Sequence, residues 1–164
     1  MINKRFLLLA ALLPCSAIAN NWQYEEQVSD FSPTRLQAYL ESDSGQVMET
    51  GEKSEGAIII SVDKLDPFKY NPRANILLYN DYAAACYKYC SVLFNVDGEV
   101  QEPLEVRRLN NSGYSISDSP SFISKIERAK SIKIAVKSAT GDMVKFEFKP
   151  DKDLSREKLP LRLY

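Results

Sequence analysis

The sequence predicts a mostly antiparallel α+β domain, or a β-sandwich carrying a single helix. Three observations predict it. Short apolar runs recur with a period of two, turn dipeptides such as Asp97-Gly98 separate them, and one stretch, after Ser119-Pro120, places apolar residues at helical spacing. No repeat of fixed period and no linker composition interrupts the chain. Residues 20–164 therefore read as one domain, near the usual size of ~100–150 residues.

The first element is not part of that domain. Lys4 and Arg5 precede the apolar run "FLLLAALL", Pro14 breaks it, and Ala17 and Ala19 stand before Asn20. A basic start, a short apolar centre and a small-x-small site read as a secretory signal peptide over residues 1–19, cleaved at about Ala19/Asn20. The run is far below the ~20 residues that span a bilayer, and no later run approaches that length. Lipidation through Cys15 is the rival, although Pro14 is a poor residue immediately before a lipidated cysteine. The expected location is periplasmic, with no transmembrane segment in the mature chain.

"WQYEEQV" then alternates Trp22 and Tyr24 as a first strand, and Leu36, Ala38 and Leu40 share one parity in a second. From Asp43 to Gly56 the composition turns to Gly, Ser, Glu and Lys, which reads as a long mobile loop. "AIIISV" is a β-branched run suited to a central strand. "LDPFKYNPRA" carries two prolines and is expected to be irregular, before a short strand in "NILLY". "SVLFNV" leads into Asp97-Gly98, a hairpin signal because a type I′ turn needs positive φ at both central residues. "EVQEPLEVRRL" is the returning strand, pushed toward an edge or a bulge by Pro103, and "NNSG" is a second turn.

Ser119 and Pro120 offer an N-cap and an N1 proline. Phe122, Ile123, Ile126 and Ala129 follow at helical spacing, so a helix is expected over about 120–130. Ile132, Ile134 and Val136, then Val144, Phe146 and Phe148, alternate on either side of Gly141 as a second hairpin.

Charge and composition narrow the function classes. Loss of Lys4 and Arg5 with the signal peptide moves the formal charge from −1 to −3. That balance gives no electrostatic reason for a nucleic-acid or anionic-lipid partner, and "RRLNN" around Arg107 and Arg108 reads as a solvated strand edge. The chain has no histidine, which rules out Ser-His-Asp and Cys-His nucleophiles and His-ligated zinc within this chain alone. A carboxylate acid/base pair and an oxygen-ligand calcium site survive that test. Glu25-Glu26, Asp63 with Asp66, and Asp151 with Asp153 are the candidate pairs; none has the spacing of an EF-hand loop, and they read as surface charge. No cofactor or metal is expected.

Cys86 and Cys90 sit in "CYKYC". In one continuous strand their Cα atoms would be about 13 Å apart, whereas a disulfide tolerates at most about 7 Å. Bonding therefore requires the chain to leave extended geometry between them. In an oxidising compartment two lone cysteines pair, which favours a structural disulfide. A thioredoxin-like motif has two intervening residues at a helix N-terminus, not three between tyrosines, and a two-thiolate metal site needs ligands that histidine cannot supply here. Tyr79, Tyr82, Tyr87 and Tyr89 crowd around the pair. They form either an aromatic partner surface, since Tyr is favoured in hot spots, or a cover over the sheet with hydroxyls in water.

Taken together, "NWQYEE", the C-x3-C pair before "SVLFNVDG", "FISKIERAKSIKIAV" and "VKFEF" resemble a loose group of small bacterial envelope proteins. The layout is also similar to type VI secretion-associated accessory proteins of the VasI/TagO kind. The resemblance covers residues 22–28 and 86–148 and implies a periplasmic domain with a disulfide and no established active site. The expectation is a non-enzymatic periplasmic binding or accessory protein that contacts another envelope or exported protein through a sheet edge or the tyrosine-rich face. An inhibitor or immunity-type protein against a cell-wall hydrolase or delivered toxin is the alternative, and an enzyme using carboxylates or thiols is the third.

Overall fold

In the computed structural model, residues 21–28, 34–63, 72–79, 86, 89–110, 112–138 and 141–161 are described, and each period-two run among them becomes a strand. The strands are β1 Gln23–Gln27, β2 Arg35–Glu41, β3 Ser44–Val47, β4 Gly56–Asp63, β5 Arg73–Leu78 and β6 Tyr89–Val96. They continue with β7 Glu99–Val100, β8 Leu104–Asn110, β9 Gly113–Ile116, β10 Ile132–Lys137 and β11 Met143–Phe148, with the helix α1 Ser119–Ile126 between β9 and β10. Among the described residues the fold is mainly β with one helix, as the patterning predicts. All neighbours pair antiparallel, in the order β1-β2-β4-β5-β9-β8-β6-β10-β11-β3, with β7 on β6.

A corner joins β2, next to one end of this path, to β3 at the other end. Ser42 donates its N–H to the Gly56 carbonyl at 2.9 Å, and the next residue, Asp43, donates to the Glu147 carbonyl at 2.8 Å. One residue thus bonds to β4 and its neighbour to β11, so β2 and β3 are one strand that crosses from one side of the structure to the other. β6 makes the opposite crossing: Tyr89 to Val92 pair with β8, and Leu93 to Val96 pair with β10. The sheet consequently wraps on itself, and β1 hangs outside the wrap on β2.

Because side chains alternate across a strand, this register lines up one continuous inner face. Leu40 lies opposite Ile58, Ile58 opposite Ile76, and Ile76 opposite Tyr114. On the other side Phe94 faces Ile134, which faces Phe146. These side chains are buried in one core cluster, each worth roughly 1.5–3 kcal/mol relative to leaving it exposed. The helix adds Phe122, Ile123 and Ile126 to the same core, with the Phe122 ring centroid 5.2 Å from that of Phe94.

The hairpin signal at Asp97-Gly98 is realised, with φ of 50° and 91° at the two residues and Val96 paired to Glu99. Asp97 also accepts from the Lys130 and Ser131 N–H groups at 2.8 and 2.7 Å, tying this turn to the chain leaving the helix. Pro103 splits the expected returning strand: residues 101–103 lie between β7 and β8 outside any strand, with the Gln101 N–H donating to the Phe94 carbonyl at 2.9 Å, and proline has no N–H for a ladder.

Three expectations need correction. The helix is shorter than 120–130, and its cap is Asp118, whose side chain accepts from the Ser121 N–H at 3.2 Å. Ser119 turns inward instead: its hydroxyl accepts from the Ala74 N–H and donates to the Ile116 carbonyl, both at 2.9 Å. Residues 43–56 are not merely a loop, because β3 pairs Val47 with Val144 and Gly45 with Phe146 and buries Val47. Finally, Gly113 to Ile116 form a strand, β9, directly after the "NNSG" turn, where the patterning predicts none. The proline-rich "LDPFKYNPRA" lies mostly outside the described residues, as do residues 1–20.

Beyond β11 the chain folds back as a strap. Leu154, Leu159 and Leu161 are buried, the Leu154 N–H donates to the Glu127 carbonyl at 2.8 Å, and Arg156 grips the Glu127 carboxylate through two nitrogens. The strap also reaches β1: the Ser155 N–H donates to the Tyr24 hydroxyl at 2.7 Å, and Lys158 Nζ stands 5.0 Å from the Tyr24 ring centroid.

Candidate functional site

Cys86 and Cys90 are at disulfide distance, with 6.0 Å between their Cα atoms. Cys90 belongs to β6 and faces inward opposite Val106; Cys86 is buried and lies outside any strand. The chain therefore leaves extended geometry before β6, as the spacing requires of a bonded pair. The pair fixes how the chain enters β6 beside β8, and both residues pack in or against the hydrophobic core.

The four tyrosines do not form one surface. Tyr82 and Tyr87 lie outside the described residues. Tyr89 points outward from β6 opposite Arg107, whereas Tyr79 immediately follows β5, with its N–H donating to the Glu55 carbonyl at 2.9 Å. In strand order β5 and β6 are separated by β9 and β8, about 14 Å across the sheet at ~4.8 Å per strand. Their closeness in sequence is undone by the sheet topology.

Around Tyr89 the outer face carries exposed apolar side chains. Tyr89 is 67% exposed, Leu93 on the same face of β6 is 56% exposed, and Leu109 on β8 is 48% exposed. Arg107 pairs across from Tyr89, and Ser91, opposite Glu105, separates Tyr89 from Leu93 along β6. The signal was present in "VLF", where three consecutive apolar residues cannot all face the core of a strand.

Tyr79 belongs to a different setting. It lines an open groove of about 1000 Å³ at the corner between β2 and β3, together with Glu41, Asp43, Glu55, Lys53 and Lys145. Burial pushes its phenol above the ordinary range, and the nearby Glu41, Tyr39 and Glu55 push it further in the same direction. Tyr79 is thus neutral at physiological pH and offers one hydrogen-bond donor among carboxylate acceptors.

The carboxylate pairs disperse. Asp63 is held by Arg35 at 2.7 Å and lies 3.8 Å from Arg73, Asp153 is paired to Lys130 at 2.9 Å, and Asp66 lies outside the described residues. Glu25 and Glu26 are exposed on β1. Among the described residues no group of three or more Cys, Asp or Glu side chains is arranged to hold a metal ion, and no helix is long and apolar enough to cross a membrane.

No protein-family model, no curated protein and no solved structure matches the chain. The resemblance to small envelope proteins rests on the quoted motifs alone.

Proposed function

We propose that this chain is a non-enzymatic binding or accessory protein of the bacterial envelope, exported to the periplasm and acting through protein–protein contacts. The observation that carries the reading is the outward pair of Tyr89 on β6 and Arg107 opposite it on β8, with the exposed Leu93 and Leu109 further along those strands. Aromatic and arginine side chains dominate interface hot spots. The cysteine pair supports it mechanically by fixing the start of β6, which presents Tyr89. The basic and apolar N-terminal segment supports the compartment.

The test is a photo-crosslinking residue placed at Leu93 in the chain expressed in its own host. The expected result is a defined cross-linked species of higher mass that disappears on Tyr89→Ala, with the fold retained by circular dichroism. An absence of any specific cross-link from Leu93, or one indifferent to Tyr89→Ala, overturns the reading.

A further inference from the structure

We infer that β1 is a docking edge for an extended, basic segment of a partner protein, which adds to the sheet as one more antiparallel or parallel strand. The inference rests on the binding reading above and names a second contact and its chemistry. Among the described residues β1 pairs only with β2 and ends the strand order. At the other end of the order β3 is not comparably open, because Gln46 bridges to Lys53 on its free side. An unpaired edge presents a row of backbone donors and acceptors that an added strand satisfies.

Two features make this edge a prepared one. First, it is held rigid from within. Trp22, immediately before β1, is buried, and the Tyr24 hydroxyl and ring are engaged by Ser155 and Lys158 of the strap. A preorganised edge spares the ordering cost that an incoming strand otherwise meets. Second, its chemistry is one-sided. Gln23, Glu25 and Gln27 share the outer face; Gln23 is held by the Tyr39 hydroxyl at 2.6 Å, and Arg35, opposite Gln27, is committed to Asp63 at 2.7 Å. Glu25, at the centre, lies opposite Gln37 and has no ion pair among the described residues.

That central carboxylate selects the occupant. In an antiparallel pairing of two copies that matches all five β1 residues, Glu25 would stand directly opposite its twin, and like charges in that position are destabilising. A Lys or Arg there is favourable instead. The edge therefore disfavours a second copy of this chain and favours a strand with a basic residue opposite Glu25.

The experiment uses the full chain and a short synthetic β-branched peptide with a central lysine, compared with the same peptide carrying a central glutamate. The lysine peptide is expected to slow amide exchange at residues 23–27 and to bind about tenfold tighter than the glutamate peptide, as expected for swapping an attractive cross-strand pair for a repulsive one. Glu25→Lys, an exposed change that leaves the core untouched, should invert the preference. Binding without protection of residues 23–27, or without charge preference, overturns the inference. So does a Glu25→Gln chain that dimerises through β1 while the wild type ignores the lysine peptide, because the carboxylate then serves only to block self-pairing. A specific Leu93 cross-link that persists while β1 stays silent leaves the binding reading standing and removes this inference alone.

Discussion

The Tyr114 hydroxyl donates to the Lys137 backbone carbonyl at 2.6 Å, linking strands that two others separate in the sheet. Tyr114 lies on β9 and Lys137 ends β10, with β8 and β6 between them in strand order. The ladder between β10 and β6 runs only as far as Ala135 opposite Leu93, so Lys137 lies beyond it. The phenol reaches across the interior to that carbonyl. Replacing Tyr114 with Phe keeps the buried ring and removes the donor. The expected loss is about 1–3 kcal/mol, read as a lower urea midpoint at unchanged slope. A variant within a few tenths of a kcal/mol of wild type would show that the bond contributes nothing.

Gly45 tests the corner in the same way. It pairs with Phe146 in β3, and a Cβ there would overlap the Ser54 carbonyl oxygen and stand 2.8 Å from Phe146 Cδ1. Neither neighbour has room to yield, one being backbone and the other a buried ring. Gly45→Ala should therefore cost about 1–3 kcal/mol by overpacking, whereas Gly98→Ala has no steric neighbour and suffers only from its φ of 91°. Thermal unfolding of the two variants, monitored by near-ultraviolet circular dichroism, separates the causes: the Gly45 variant should lose near-ultraviolet signal from the altered Phe146 environment even when folded.

Period-two patterning made most strands legible, because burial on one face imposes alternation directly on residues such as Ile132, Ile134 and Val136. What it concealed has two physical causes. The first is backbone-driven pairing with little side-chain signature: Ser44 to Val47 contribute one buried side chain, Val47, and otherwise fit because Gly45 lets β3 and the Ser54 backbone approach. The second is long-range competition for polar groups. Ser119 has the identity and place of an N-cap, yet its hydroxyl bridges the Ala74 N–H and the Ile116 carbonyl, and Asp118 takes the cap. No local rule shows that. The tyrosine cluster failed as one surface for a related reason, since β9 and β8 insert between β5 and β6 only in three dimensions.

The cysteine pair should behave as a local staple. Cross-linking residues four apart removes little chain entropy, about 2 kcal/mol by the loop-length relation. β6 remains anchored by β8 and β10 without it. Cys86→Ala with Cys90→Ala should therefore fold and lose about 2 kcal/mol in urea unfolding, and wild type under reducing conditions should match it. Failure of the double variant to fold would instead make the pair a requirement of the fold. Cross-linking at Leu93 should weaken in the folded variant, because the pair sets the entry of the strand that presents Tyr89.

Tyr24 provides a pH-dependent reading of the strap. Burial raises its phenol above the ordinary value of 10.0, and the hydrogen bond from the Ser155 backbone opposes that shift without cancelling it. In the unfolded chain the phenol loses its proton near the ordinary value, while in the folded chain it keeps it to higher pH. Between those two points the unfolded state binds fewer protons, so stability falls as pH rises. The contribution is whole below about pH 10 and is lost as pH climbs through the folded value. Tyr24→Phe lacks this titration and also lacks the acceptor for Ser155, a loss of about 1 kcal/mol at neutral pH. The stability difference between wild type and Tyr24→Phe should stay level from neutral pH to just below pH 10 and then shrink. Urea unfolding at stepped pH measures it, and a difference that widens above pH 10 would mean that the strap favours the phenolate, contrary to the burial of that ring.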